Sequence, residues 1–449
     1  MSGWQDPSEA EPRRGTRVRY TVLTFTVALA AVTYLDRVCI AHAGVTASIK
    51  DELHLSDKQM SLVYSAFTLA YALFEMPTGA WGDRIGPRRV LTRIVLWWSS
   101  FTIATAMAFN YASLLLIRFL FGAGEAGAFP NVTKTFSRWF PTAERGTAQG
   151  IFFAGAHLGG GLTPILVTAL LGYFHIPWRG LFVLFGSIGF VWALAWWRWF
   201  RDEPADHPAV DSWERKTIEA GRTPTSSHRL DFAIMRRILA DRSLVALCLM
   251  YFTQAYGFYF NITWLPTYLA RTRGLTTARL GLLASVLAGL PLILSSVADI
   301  IGGITTDAIS RRHGLRVGRC GVGGASLTIA GCALIAGATV RDPIASALLI
   351  AVSGAAASFL LGSCWGVCQD IAGRHAGLVS GCMNTAGQIG AVISPIILPY
   401  FEDPAAPLCI AGALYLAGAA CWLIVDPRRA IRVDPSVELD ILLEDDIVS

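Results

Sequence analysis

The 449 residues are 53% hydrophobic and only 15% charged, with a mean hydropathy of +0.49. Water-soluble chains carry about 25% charged residues, so this deficit excludes an ordinary soluble protein and points to lipid as the solvent for most of the chain. The net charge of +5 is no nucleic-acid signal, because the basic residues fall in alternate loops between apolar runs rather than in one patch.

The segment 1–18 is polar and holds Arg13, Arg14 and Arg17. Twelve apolar runs follow, at 19–46, 59–81, 90–109, 112–139, 147–172, 180–200, 242–269, 277–308, 317–339, 344–371, 377–401 and 406–425. Each is long enough to cross a bilayer as a helix. The first run is too long and too interrupted by charge to read as a cleavable signal peptide. The spacing predicts an all-α polytopic membrane protein. Its parts are a tail (1–18), a six-helix half (19–200), a polar linker (201–241), a second six-helix half (242–425) and a closing tail (426–449).

Loops after the even-numbered runs carry Arg84, Arg88, Arg89, Arg145, Arg201, Arg215, Lys216, Arg311, Arg312, Arg316 and Arg374. Opposite loops hold far fewer basic residues, so both termini and the linker are expected in the cytoplasm. The linker stretch DSWERKTIEA has the pattern of a short amphipathic helix. The halves also repeat: GDRIGPRR (82–89) follows the second run and GGITTDAISRR (302–312) the eighth, which sets Asp83 and Asp307 half the chain apart. Two parallel halves with equivalent loops describe a carrier that rocks about a site near the membrane midplane.

Charged residues inside an apolar run cost roughly 2.5–3.5 kcal/mol each on insertion scales. The first half has four: Asp36 and Arg37 in TYLDRVCIAHA, and Arg118 and Glu125 two turns apart on one helix face. Two acids and two bases permit internal pairing. They fit either ion pairs that fasten helices or a site where Arg37 takes a carboxylate while Asp36 and Glu125 exchange protons. Arginine suits the anion because its planar fork binds bidentately and keeps its charge.

GDRIGPRR resembles the second-to-third-helix loop of the major facilitator superfamily, and the twelve-span plan covers the chain. YLDR, RFLFGAGEAGAFP, SRWFPTAERG and TWLPTYL are similar to motifs of its anion:cation symporters. That group includes bacterial sugar-acid:proton symporters and vesicular glutamate and sialic acid transporters. The resemblance implies Asp36 and Glu125 as proton-coupling acids, Arg118 as organiser of the charge network, and Arg37 as substrate contact. It also supports Tyr34, Tyr71 and Asn384 as pocket lining. Gln254, Ser363, Trp365 and Gln388 are further polar candidates. His157 departs from the expected pattern and reads either as a specificity or pH determinant or as a satisfied helix residue. Glu75 and Asp370, near helix ends, are expected at gates. Gly82, Asp83, Arg84, Gly86, Arg88 and Arg89 form the expected gating loop, with Asp83 pairing across the halves in one state.

Other motifs lead nowhere. GAGEAG (122–127) matches a dinucleotide fingerprint but no strand precedes it, and it reads as close helix packing. LGSCWG (361–366) looks like a thiol-protease signature without the downstream partners. The nine cysteines read as small hydrophobes; no metal or cofactor is expected. The expected function is proton-coupled symport of a small organic anion, foremost a sugar acid such as galactonate, glucarate or hexuronate, by a monomer in a bacterial inner membrane. The alternatives are another carboxylate (aromatic acid, dicarboxylate, sialic acid) or an exporter or uncoupled facilitator.

Overall fold

The computed structural model describes residues 15–46, 49–219, 236, 238–372 and 376–429. Side chains of a few helical residues, Gly82 and Asp83 among them, also lie outside the description. Among the described residues there is no strand. Twelve helical spans are numbered in chain order. The first half comprises α1 (Val18–Thr46), α2 (Asp57–Ile85), α3 (Pro87–Thr105), α4 (Tyr111–Glu125 then Ala128–Trp139), α5 (Thr142–Gly172) and α6 (Trp178–Trp199). The second comprises α7 (Arg242–Thr263 then Leu265–Arg271), α8 (Leu282–His313), α9 (Val322–Thr339), α10 (Pro343–Phe359 then Leu361–Ala372), α11 (Ala376–Ile397) and α12 (Ala406–Cys421). Nine helices among the described residues are long and apolar enough to cross a membrane, and α12 is a shorter apolar one. The other two, α2 and α3, are diluted by Asp57, Lys58 and Glu75 and by Arg88, Arg89 and Arg93.

Helix starts follow local chemistry. Asn110 and Ser113 form a reciprocal capping box at α4, Asp241 accepts from the amides of Ser243 and Leu244 at α7, and Asp342 accepts from Ala345 at α10. Gly86 turns the chain at φ 86° into Pro87, the first residue of α3. The sequence expectation of one unbroken fourth helix needs correcting. α4 stops at Glu125, and Gly127, at φ 83°, starts its second segment; a side chain at Gly127 would collide with Thr78. α7 likewise breaks at Trp264 before Pro266, and α8 starts at Leu282, after Gly281 separates it from the short turn Thr277–Leu280.

The helices pair in a repeated pattern. α1 packs on α5 and α6, α2 on α4, and α3 on α4 and α6; α7 packs on α11 and α12, α8 on α10, and α9 on α10 and α12. Two seams join the halves, α5 against α8 and α2 against α11. On the first, the backbones nearly touch: a Cβ at Gly289 would sit 2.0 Å from the Gly161 carbonyl oxygen.

Both described chain ends lie at one end of the bundle, with the linker. The helix Ser212–Glu219 brings buried Glu214 to the start of α1, where it accepts from the amides of Val18 and Arg19 and pairs with the Arg19 guanidinium. The amide of Asp426 donates to Ser243 at the start of α7. This is the linker end. At the opposite, far end, Glu52 accepts from the Trp178 indole (2.5 Å) and pairs with Arg179. The far end is closed between the halves: Arg271 donates to Asp57 (2.7 Å), Thr168 meets Ser285 (2.6 Å), and Ser65 donates to the Val392 carbonyl (3.0 Å).

Candidate functional site

α1 carries Tyr34, Asp36 and Arg37 into the first half at mid-depth. Arg37 is nearly buried and donates from Nε to Glu125 Oε1 (2.5 Å), while Nη2 closes on the same oxygen. Its guanidinium lies among four rings, with centroids at 4.8 Å (Tyr71), 5.1 Å (Tyr34), 5.2 Å (Phe67) and 5.7 Å (Phe129). Such faces attract a cation whose water has been stripped away. Because α4 breaks immediately after Glu125, the carboxylate sits at a helix end, and its Oε2 has no partner among the described residues.

Arg118, two turns earlier on α4, is buried against Phe121 (4.2 Å) and Phe67 (5.4 Å), and its Nε has no partner among the described residues. Asp36 is buried beside Thr102, whose hydroxyl donates to Oδ2 at 3.3 Å, and Oδ1 has no partner among the described residues. It lies within the electrostatic reach of Glu125 and Arg118. Unpartnered buried acceptors next to acids mark places where a proton or ligand atom would be stabilised.

The remaining sequence candidates divide. Tyr34 and Tyr71 wall the cage, and Tyr34 also meets His157 edge-on at 5.6 Å. Trp365 reaches towards the first half, 6.4 Å from Phe153 and from Tyr251. Gln388 keeps a buried Oε1 with no partner among the described residues. Asn384 donates to both oxygens of Glu75 across the halves (3.1 and 2.9 Å), so Glu75 sits on the α2–α11 seam, with an amide partner from the other half. Gln254 spends its amide on the Ala357 carbonyl (3.3 Å), and Ser363 its hydroxyl on Thr306 (3.0 Å); both tie helices of the second half together.

In the loop GDRIGPRR, Arg84 and Arg89 are exposed, and the expected Asp83 pairing lies outside the described residues. Arg88 stays within its own half, donating its amide to Asp202 and its guanidinium to the Trp197 carbonyl at the end of α6. In the second half, Arg319 lies between Asp370 and Asp307, at 3.1 Å from each. Sequence reasoning passed over Asp299, whose Oδ2 lies 2.6 Å from His157 Nδ1. The signal was present: an acid in the apolar run LSSVADIIGG.

The Major Facilitator Superfamily profile matches residues 26–395. The chain belongs to this superfamily. Membership makes it a membrane transporter and not an enzyme. It is 31% identical to a probable sulfoacetate transporter of Cupriavidus necator, covering 92% of this chain and 95% of the relative. It is 28% identical to a probable galactarate/D-glucarate transporter of Escherichia coli (92% and 96% covered) and 29% identical to a hexuronate transporter of Bacillus subtilis (88% and 90%). A solved bacterial homolog to the human lysosomal transporter Spinster, inward-facing and unoccupied, aligns with a TM-score of 0.69 at 20% identity, over 95% of this chain and all of that one. That likeness supports the superfamily fold.

Proposed function

We propose that the protein is a proton-coupled symporter of a small organic anion, foremost a sugar acid, that works by alternating access in a bacterial inner membrane with both termini in the cytoplasm. The observation that carries this reading is Arg37: a nearly buried guanidinium, caged by four rings, whose charge partner is Glu125. Arg37 suits a carboxylate ligand, and the relatives' names all specify anions. Glu125 and an incoming carboxylate compete for the same fork. When Glu125 takes a proton it gives up the charge that holds Arg37, and the anion takes its place; anion and proton are then carried together. Asp36 is a second proton acceptor, and Arg118 balances both acids. Tyr34, Tyr71, Trp365, Asn384 and Gln388 line the cargo's remaining surface, and the chain works as a monomer.

The relative with the sulfoacetate name favours a second cargo class, a short sulfonate, which the Arg37 fork would hold equally well. Uptake into proteoliposomes under an imposed pH gradient separates these readings, with a panel of galactonate, glucarate, hexuronates, dicarboxylates and sulfoacetate. Gradient-driven uptake of a sugar acid is the expected result. Uptake indifferent to the gradient contradicts symport, and uptake of sulfoacetate alone moves the cargo to sulfonates.

A further inference from the structure

Asp299 and His157 face each other across the α5–α8 seam with no role in the site above. His157 Nδ1 and Asp299 Oδ2 are 2.6 Å apart, and both side chains are almost wholly buried, at 4% and 3% exposure. Asp299 comes from α8 and His157 from α5, so the contact joins the two halves. Its position in the internal repeat gives it meaning. The interval from Glu75 to Asp299 is the same as that from Asp83 to Asp307. Glu75 and Asp299 are therefore one position, present once in each half. Each carboxylate reaches across to the opposite half, Glu75 to Asn384 of α11 and Asp299 to His157 of α5. In the same repeat His157 corresponds to Gln388: GTAQG (146–150) and GLVSG (377–381) precede them at equal distance, and TP (163–164) and SP (394–395) follow at equal distance.

The two seams thus share the carboxylate position but not the partner position, since Asn384 lies one turn before Gln388. The α2–α11 seam closes the Glu75 carboxylate on an amide, so only one member of that contact can change charge. The α5–α8 seam closes a carboxylate on an imidazole, so both members of that contact can change charge. We propose that His157 and Asp299 form a pH-sensing latch between the halves. With His157 protonated, the contact is a charge-assisted hydrogen bond in a dry seam; with His157 neutral, it is an ordinary one of about half the strength.

Other titratable groups surround the pair. Tyr34 of α1 faces the pair; Arg37, Tyr259 of α7 and Glu125 of α4 lie within reach of Tyr34, and Glu75 of α2 within reach of Arg37 and Tyr259. Phe258 of α7 covers the imidazole at 5.3 Å. Charged residues on α6, α7 and α10 sit near their ends. The latch lies on the seam whose outer part, Gly161–Gly289 and Thr168–Ser285, closes the far end. Acid therefore favours the far-end-closed state. If the symport reading holds, acid on the far side shuts that gate behind the loaded anion; the latch itself does not depend on that reading.

The test measures conformation and needs no cargo. Spin labels at Phe109→Cys and Ile344→Cys, exposed positions at the far end of each half, report closure in a Cys332→Ser background, Cys332 being the exposed cysteine. Across about pH 5 to 8, the closed-to-open ratio should fall about five- to tenfold, the gap between a charge-assisted and a neutral hydrogen bond. His157→Gln, which copies the repeat counterpart, should flatten the response while the closed distance survives. Asp299→Asn should flatten it independently and serves if the first variant melts early in detergent. A wild-type ratio indifferent to pH overturns the latch. So does an unchanged response in His157→Gln, or one that Glu125→Gln or Glu75→Gln alone abolishes. Gradient-driven uptake, measured separately on the same variants, tells failure of the latch from failure of the symport reading.

Discussion

Arg37 is the residue on which the account turns, because a guanidinium stripped of water needs both a charge partner and polarisable faces. Losing one member of a buried hydrogen-bonded charge pair costs about 2–5 kcal/mol, a factor of about 30 or more in binding. Arg37→Gln should therefore lower anion binding by at least about that factor, measured by equilibrium binding to purified protein. Arg37→Lys should rescue little, since a point charge cannot reproduce the fork or stack on Tyr34 and Tyr71. Asp36→Asn should leave anion exchange at symmetric pH running while removing gradient-driven accumulation, checked by comparing counterflow with uphill uptake. Part of this was legible in the sequence. Asp36, Arg37, Arg118 and Glu125 stand out because charge in an apolar run is expensive. The cage was not legible: Phe67 and Phe129 are ordinary residues in membrane helices, and only tertiary packing brings them to Arg37. Asp299 carried the same signal as Asp36, but its partner His157 lies in the other half of the chain, and no spacing rule joins them.

At the scale of elements, the seams and caps decide what can move. Gly161 and Gly289 let α5 and α8 approach at the backbone, and a methyl at 289 would meet the Gly161 carbonyl at 2.0 Å. Overpacking of this kind costs about 1–3 kcal/mol. Gly289→Ala should push the far end open, and spin-label distances between the halves check it. The far-end cap predicts a pH effect of its own. Trp178's indole hydrogen bond, then Arg179, hold the Glu52 carboxyl below the usual glutamate range. A depressed carboxyl contributes stability above its unfolded value, near pH 4.3, and loses it as pH falls through the lower folded value. Melting curves in detergent should show an acid-side drop that Glu52→Gln reduces. The sequence foresaw the helices and the short linker helix, but not the breaks at 126–127 and Trp264. Hydrophobic periodicity runs straight through a one-residue change of backbone, and only the left-handed Gly127 shows where α4 parts to present Glu125.

For the whole molecule, the pairing of helices repeats from one half to the other, and the two seams that join them are equivalent under that repeat. A repeat of half the chain was visible in the loop aspartates; its functional content, one carboxylate per half reaching into the other, appears only when the halves are packed. Under the proposed function, rocking about such seams would expose the Arg37 site to one side at a time, and coupling would follow from competition of Glu125 and the anion for Arg37. The most direct test is anion binding to wild type and Glu125→Gln, titrated in detergent between about pH 5 and 8. The account predicts wild-type affinity that weakens as pH rises, and Glu125→Gln affinity that stays near the wild-type acid value throughout. Loss of binding in Glu125→Gln, or the same pH dependence in both proteins, would contradict it.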